Sequence, residues 1–227
     1  MTTSDIMFAP GFPRWSPMKS GTRALVLQPC TVSEFAESAA RWIDNLGLQL
    51  VSEGITSDGA TAMMTVTYGG ARFWLATDTW LNELALEPQS ADGEDPAAVL
   101  FEILTGKIVT MFRPAGPKEL ELVAASGWRR WPPRLPEQPI FYPVTNQEYA
   151  EQIARDWNVP ESGAGFVLRF NVRREFTDRF EVHKVGGEMH TEWWIPAENL
   201  EELNDNIVGT IDVVARFPSE DSNPSRR

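Results

Sequence analysis

The sequence predicts an α+β fold of two small domains, each a mainly antiparallel sheet with a few packed helices. Strand-like and helix-like apolar periodicities occur in both halves, and short turns join the predicted strands. The charge also changes along the chain. Residues 1–106 carry 5 Lys and Arg against 13 Asp and Glu, whereas residues 107–218 carry 13 against 17. We therefore expect domains at 1–106 and 107–218 and a disordered tail at 219–227. A single domain with one shared sheet is the alternative.

Composition excludes several classes of function. The 227 residues are 42% hydrophobic and 23% charged, which is ordinary for a globular protein. The net charge of −12 argues against nucleic acid or an anionic membrane as a partner. Cys30 is the single cysteine and there are two histidines, so an internal disulfide is excluded and a metal centre is not expected. A lone cysteine also fits a reducing compartment, so we expect a cytoplasmic protein.

The first domain is predicted to have the order β-α-β-β-β-(β)-α. Apolar residues at i, i+4, i+7, i+8 and i+11 predict a helix over 31–46, with Gly47 just past its end. Gly69-Gly70 predicts a tight hairpin turn. Asp95 and Pro96 predict the N-cap and first residue of a second helix. The remaining predicted strands are 23–28, 48–53, the two arms of 60–78, and 81–88.

The second domain is predicted to alternate short strands and helices. Pro117 suits the first turn of one helix, and Thr145 or Asn146 suits the N-cap of another, 145–157. The proline-rich segment 127–139 and residues 158–165 are predicted as loops. The other elements are strands 107–114, 140–144, 165–174, 181–187, 190–196 and 210–217, and helices 116–127 and 197–204.

Three residues of the second domain are candidates for a site. Arg113 lies at the end of a strand and could grip a pyrophosphate, or simply pair with Glu119. The ring of Tyr142 could stack on a flat heterocycle, or be a core or rim aromatic. The carboxylate of Glu192 could bind a ribose hydroxyl and stabilise positive charge at an anomeric carbon, or be the exposed residue of an alternating strand. Together, these functional roles are what cleavage of a nicotinamide–ribose bond requires.

Residues 111–217 resemble bacterial ADP-ribosyltransferase-like domains. The segments that carry the resemblance are MFRPAGPKELELVAASGW, IFYPVTNQEYAEQIARDW and HTEWWIPAENLEELNDNIVGTIDVV. The stretch is also similar to short actinobacterial proteins that carry an ADP-ribosylation label. Pro114 stands where the family usually has a glycine, and His190 stands where it usually has a glutamate or glutamine.

The resemblance implies NAD as a substrate and a set of residues that would bind it. Arg113 would hold its phosphate or ribose, and Tyr142 would pack on the nicotinamide, with Thr145 as the alternative polar residue. Glu192 would be catalytic, and His190 would assist as a donor or proton carrier, or be a plain surface histidine. The implied activity is cleavage of the nicotinamide–ribose bond with an undefined acceptor. A degenerate, inactive copy is the alternative.

A non-enzymatic protein is the competing interpretation. In that case an acidic first domain with tryptophan-rich surfaces binds a protein partner, as an immunity or accessory protein would. Two motifs of the loop at 127–139 are interpreted as structural. The 128–131 segment WRRW favours cation–π packing over nucleic-acid binding, and the 133–136 segment PRLP favours a stiff loop over a partner motif. This loop could also cover the predicted site as a lid.

Overall fold

The computed structural model describes residues 9–51, 56–57 and 59–218. It is an α+β structure with mainly antiparallel sheets, which confirms the predicted fold class. The chain divides into two compact units, Met1–Lys107 and Ile108–Arg227. The predicted tail at 219–227, residues 1–8 and the end of the predicted strand 48–53 lie outside the described residues.

The first unit is built on one antiparallel sheet. In spatial order its strands are β1 (Arg14–Pro17), β2 (Arg23–Pro29), β7 (Glu83–Pro88), β6 (Ala71–Asp78), β5 (Thr61–Tyr68) and β3 (Gln49–Leu50), with β4 (Thr56–Ser57) also paired to β5. The β5–β6 hairpin turns at Gly69-Gly70, where both residues have positive φ. The predicted hairpin is therefore confirmed.

Both helices of the first unit begin directly after a 3₁₀ turn. Helix α1 (Phe35–Leu46) follows a 3₁₀ turn and ends at Gly47, whose φ of 59° provides the left-handed C-cap. Helix α2 (Glu94–Leu104) begins earlier than predicted. A 3₁₀ turn runs directly into it, so Gly93 is already helical and is the N-cap in place of Asp95.

The second unit is built on a longer antiparallel ladder. Strand β14 (Ile207–Pro218) pairs with β10 (Ala164–Arg173), which pairs with β8 (Ile108–Ala115). Val144 then bridges β8 to β12 (Thr191–Trp193), and β12 pairs with β11 (Val182–Lys184). Strand β9 (Ile140–Phe141) forms a separate antiparallel pair with β13 (Ile195–Pro196).

The helices of the second unit confirm two predicted starts and correct one predicted loop. Helix α3 (Pro117–Ala125) has Pro117 in its first turn, and α4 (Gln147–Ile153) is capped by Asn146, whose side chain accepts from the backbone N–H of Tyr149. The predicted loop 158–165 is wrong over most of its length. A π-helical segment (Ala154–Asn158) and α5 (Val159–Ser162) continue the helix. The last two helices are α6 (Arg174–Thr177) and α7 (Leu200–Asp205).

Two apolar clusters cover the two faces of the second sheet. One contains Phe141, Leu168 and Trp131. The other contains Val144 and Tyr149. Leu168 and its neighbour Val167 thus pack into different clusters, as the alternation of side chains across a sheet requires. Among the described residues, no helix has both the length and the apolar character needed to cross a bilayer.

Candidate functional site

The register of the second sheet decides which predicted site residues share a face. Phe112 pairs with Val144, Val144 pairs with Glu192, and Glu192 pairs with His183. Backbone hydrogen bonds fix this register, since Phe112 and Val144 exchange N–H···O bonds of 3.0 and 2.8 Å. Residues directly opposite one another in a ladder point to the same face. Glu192 therefore shares its face with Val144 and His183.

Arg113 lies on the other face. It follows Phe112 in β8, and its ladder partner is Leu168, a member of the cluster around Phe141. Its guanidinium carbon lies 5.0 Å from the centroid of the Phe141 ring. The structure thus places Arg113 apart from Glu192 and pairs it with Glu119, at 3.3 Å. Side chains alternate between the two faces of a strand, so Arg113 points away from the face that Phe112 shares with Glu192. The two predicted partners are therefore separated.

Glu192 is half-buried and its carboxylate is held in place. The indole N–H of Trp194 donates to its Oε1 over 2.7 Å. The two residues lie two positions apart and so point to the same side of the chain. This contact orients the carboxylate, and no described residue forms a hydrogen bond to its second oxygen.

Two further aromatic rings pack on the Trp194 indole that holds this carboxylate. The imidazole of His183 stacks on the Trp194 indole, with centroids 4.2 Å apart and planes 22° from parallel. The Tyr142 ring meets Trp194 edge-on at 6.1 Å. Tyr142 is 37% exposed and Trp194 is 42% exposed, so both rings present surface to solvent. We call Tyr142, His183, Glu192 and Trp194 the Glu192 cluster.

Tyr149 is a buried neighbour of the Glu192 cluster. It is 6% exposed, and burial together with the negative charge of Glu192 raises the pKa of its phenol. Both causes favour the protonated phenol, since an ionised oxygen there would be desolvated and repelled. Tyr149 therefore supplies a hydroxyl rather than a negative charge beside Glu192.

Both ring nitrogens of His190 form hydrogen bonds within the second unit. Its ring stacks on Tyr149 at 4.6 Å. Its Nδ1 accepts from the backbone N–H of Gly187 at 3.1 Å, and its Nε2 lies 3.1 Å from Oε1 of Gln152. An accepting Nδ1 requires the proton on Nε2, which then donates to Gln152. His190 thus ties the hairpin end to α4, and neither ring nitrogen is left for a ligand.

Thr145 is likewise engaged within the sheet. Its hydroxyl is hydrogen-bonded to that of Thr191 and accepts from Nδ2 of Asn146 at 3.2 Å. The side chain is half-buried at the start of α4. Of the sequence-predicted residues, the structure therefore brings Tyr142 and Glu192 together on an exposed surface. It places Thr145 and His190 in the supporting framework.

His183, Trp194 and Tyr149 are members or neighbours of the cluster that were not predicted as site residues. Trp194 could have been found, because it follows Glu192 by two residues in a predicted strand. His183 could not, because its position depends on the β11–β12 register. Tyr149 reaches the cluster through its helix packing on the sheet face.

A carboxylate among aromatic faces is suited to a cationic or flat heteroaromatic group. Ring faces attract positive charge, and the carboxylate supplies a countercharge and an acceptor. The described part of the chain contains no group of three or more His, Cys, Asp or Glu side chains arranged to hold a metal ion. No family model, curated protein or solved structure matches this chain.

Proposed function

We propose that the second unit binds NAD at the Glu192 cluster and cleaves its nicotinamide–ribose bond. The observation that supports this most strongly is a carboxylate fixed by an indole N–H at 2.7 Å among half-exposed rings on one sheet face. The nicotinamide ring of NAD is flat and positively charged, so it matches the surface of Tyr142 and Trp194. Arg113 has no part in this site.

In this proposal Glu192 is the catalytic residue. As the bond from the anomeric carbon to nitrogen breaks, its electron pair goes to nicotinamide and positive charge grows on the ribose. The Glu192 carboxylate stabilises that charge, and its free oxygen accepts from a ribose hydroxyl. Water or another nucleophile then bonds to the anomeric carbon and gives up its proton to solvent. Burial and the negative charge of Glu192 raise the pKa of the Tyr149 phenol, so it stays protonated near this site.

The test measures NAD binding and nicotinamide release in the full chain. NAD in millimolar excess should raise the melting temperature, because it binds the native state alone. Glu192→Gln should slow nicotinamide release at least about a hundredfold, since it removes a charge that acts in the transition state. Trp194→Ala should weaken NAD binding about tenfold through loss of ring stacking. Glu198→Gln, at an exposed position outside the cluster, is the matched control.

Two outcomes would contradict this proposal. If NAD leaves the melting temperature unchanged and titration calorimetry shows no binding, the second unit is not an NAD-binding domain. If NAD binds but Glu192→Gln releases nicotinamide at the wild-type rate, Glu192 is not catalytic.

A second function, protein binding by the first unit, is favoured by a separate observation. Trp80 is 89% exposed and Leu81 is 59% exposed, in the turn between β6 and β7. Oδ1 of Asp78 accepts from the backbone N–H groups of both, at 2.8 and 2.7 Å, so the turn is fixed. With 5 basic against 13 acidic residues in 1–106, the partner we propose is a protein with a basic surface and an apolar recess.

A photo-cross-linking side chain at position 80 tests this second function. It should form an adduct with a basic protein, and the adduct should disappear when Leu81 is changed to Ala or when salt is raised. The same cross-linker at exposed position 37 is the control. Equal labelling from both positions would contradict a specific surface at this turn.

A further inference from the structure

We propose that Arg113 and Arg134 form a binding site for a small oxyanion, a phosphate or carboxylate group, on the sheet face opposite Glu192. Glu119 occupies this site as an internal competitor. The proposal is independent of the proposed function, because no side chain of the Glu192 cluster takes part in it. We call Arg113, Glu119, Arg134 and Phe141 the arginine cluster.

The charges of the arginine cluster do not balance. NH2 of Arg113 lies 3.3 Å from Oε2 of Glu119, and NH1 of Arg134 lies 3.5 Å from its Oε1. One carboxylate is thus shared by two guanidinium groups, and both distances exceed the roughly 2.7–2.9 Å of a strong charge-assisted bond. The other acceptors are neutral: the Tyr142 carbonyl at 3.2 Å and Oε1 of Gln138 at 2.7 Å.

The unbalanced charge is also largely buried. The side chains of Arg113 and Arg134 are 13% and 10% exposed. The Nε atom of each is buried and has no hydrogen-bond partner among the described residues. Burial, together with the positive charge of Arg113, lowers the pKa of Arg134. A buried cation without a full set of acceptors is costly, and an added oxyanion would relieve that cost.

Both guanidinium groups lie close to the same aromatic ring, that of Phe141. The Phe141 ring centroid lies 5.0 Å from the guanidinium carbon of Arg113 and 6.0 Å from that of Arg134. Arg113 is fixed by strand β8, and Arg134 follows two prolines, whose fixed φ angles stiffen the loop before it. Guanidinium groups held in fixed planes favour ligands with two acceptor oxygens, as phosphates and carboxylates have.

The experiment titrates inorganic phosphate, and separately acetate, into the full chain at constant ionic strength. We expect saturable binding of one of them by calorimetry and a rise in melting temperature that potassium chloride does not reproduce. Arg134→Gln should weaken this binding about tenfold or more, because it removes charged donors. Arg129→Gln, an exposed arginine of the same loop, should leave it unchanged.

Glu119→Gln provides a readout that a purely structural cluster would not give. It removes the competing carboxylate and its charge, so the anion should bind several-fold more tightly although the anion-free protein becomes less stable. The proposal is overturned if neither anion binds wild type or Glu119→Gln, or if binding is unchanged in Arg134→Gln. Glu192→Gln should bind phosphate as wild type does, which separates this site from the NAD proposal.

Discussion

The Arg113 guanidinium and the Glu192 carboxylate lie on opposite faces of one antiparallel sheet. Phe112 pairs with Val144, and Val144 pairs with Glu192, so these three side chains share one face. Arg113 is the next residue after Phe112 in the strand, so its side chain points to the other face. Two charged groups that the resemblance implies would share one NAD site thus lie on separate surfaces. The second unit has one carboxylate-centred surface and one guanidinium-centred cluster.

Asn204 should be essential for attaching the proline-rich loop to α7. The backbone N–H of Trp131 donates to its Oδ1 at 2.7 Å, and its Nδ2 donates to the Trp131 carbonyl at 3.0 Å. Both residues are buried. Asn204→Ala should therefore lower the free energy of unfolding by about 2–4 kcal/mol, because two buried backbone groups lose their partners.

Denaturant unfolding of the second unit measures this effect. The control is Asn206→Ala, since Asn206 donates to the Glu202 carbonyl at an exposed site and should cost less than about 1 kcal/mol. Equal effects of the two substitutions would contradict the role given to Asn204.

Gly186 should tolerate no side chain, unlike its neighbour Gly187. A Cβ at Gly186 would lie 2.5 Å from Nδ1 of His190, whereas one at Gly187 would find its nearest neighbours at 3.8 Å. Gly186→Ala should push the imidazole from Tyr149 and destabilise the unit by about 1–3 kcal/mol. Gly187→Ala should stay within about 0.5 kcal/mol of wild type in the same unfolding measurement. The reverse order would show that His190 is not packed as described.

Glu87 should make the first unit less stable as pH rises. It is half-buried in β7 opposite Trp74, and burial together with the charge of Asp78 raises its pKa above the ordinary value. Below the ordinary glutamate pKa of about 4.3 the carboxyl is protonated in both states and costs nothing. Above it, the unfolded chain releases the proton at a lower pH than the folded chain does. The free energy of unfolding therefore falls as the pH rises through the raised pKa.

Glu87→Gln should therefore raise the melting temperature at neutral pH, and its advantage should shrink towards pH 4. The measurement is thermal unfolding at a series of pH values, with the exposed Glu37→Gln as control. A variant that is less stable than wild type at neutral pH would show that the Glu87 carboxylate is favourably paired.

Local signals made parts of this fold predictable. The left-handed C-cap at Gly47, the Gly69-Gly70 hairpin, Pro117 in a first turn and Asn146 as an N-cap each depend on a few neighbouring residues. The face of the 145–157 helix was only partly predictable. Tyr149 is buried, but Trp157 is 59% exposed, because the π-helical segment adds a residue per turn and rotates the later side chains outward.

The site depended on information that is not local. Tyr142 and Glu192 both contact Trp194 because the chain around 139–145 runs antiparallel to 191–197, which no short motif specifies. His183 joins them through a third strand. The unpredicted sharing of Glu119 by Arg113 and Arg134 likewise arises where a strand, a helix start and a loop converge.

The most direct test of the assignment to two faces is the dissociation constant of NAD in two single variants, Glu192→Gln and Arg113→Gln. The proposed function predicts that NAD binding weakens in Glu192→Gln and is retained in Arg113→Gln once a native fold is verified by circular dichroism. Loss of NAD binding in Arg113→Gln alone, or no NAD binding by wild type, would contradict the placement of the site at Glu192.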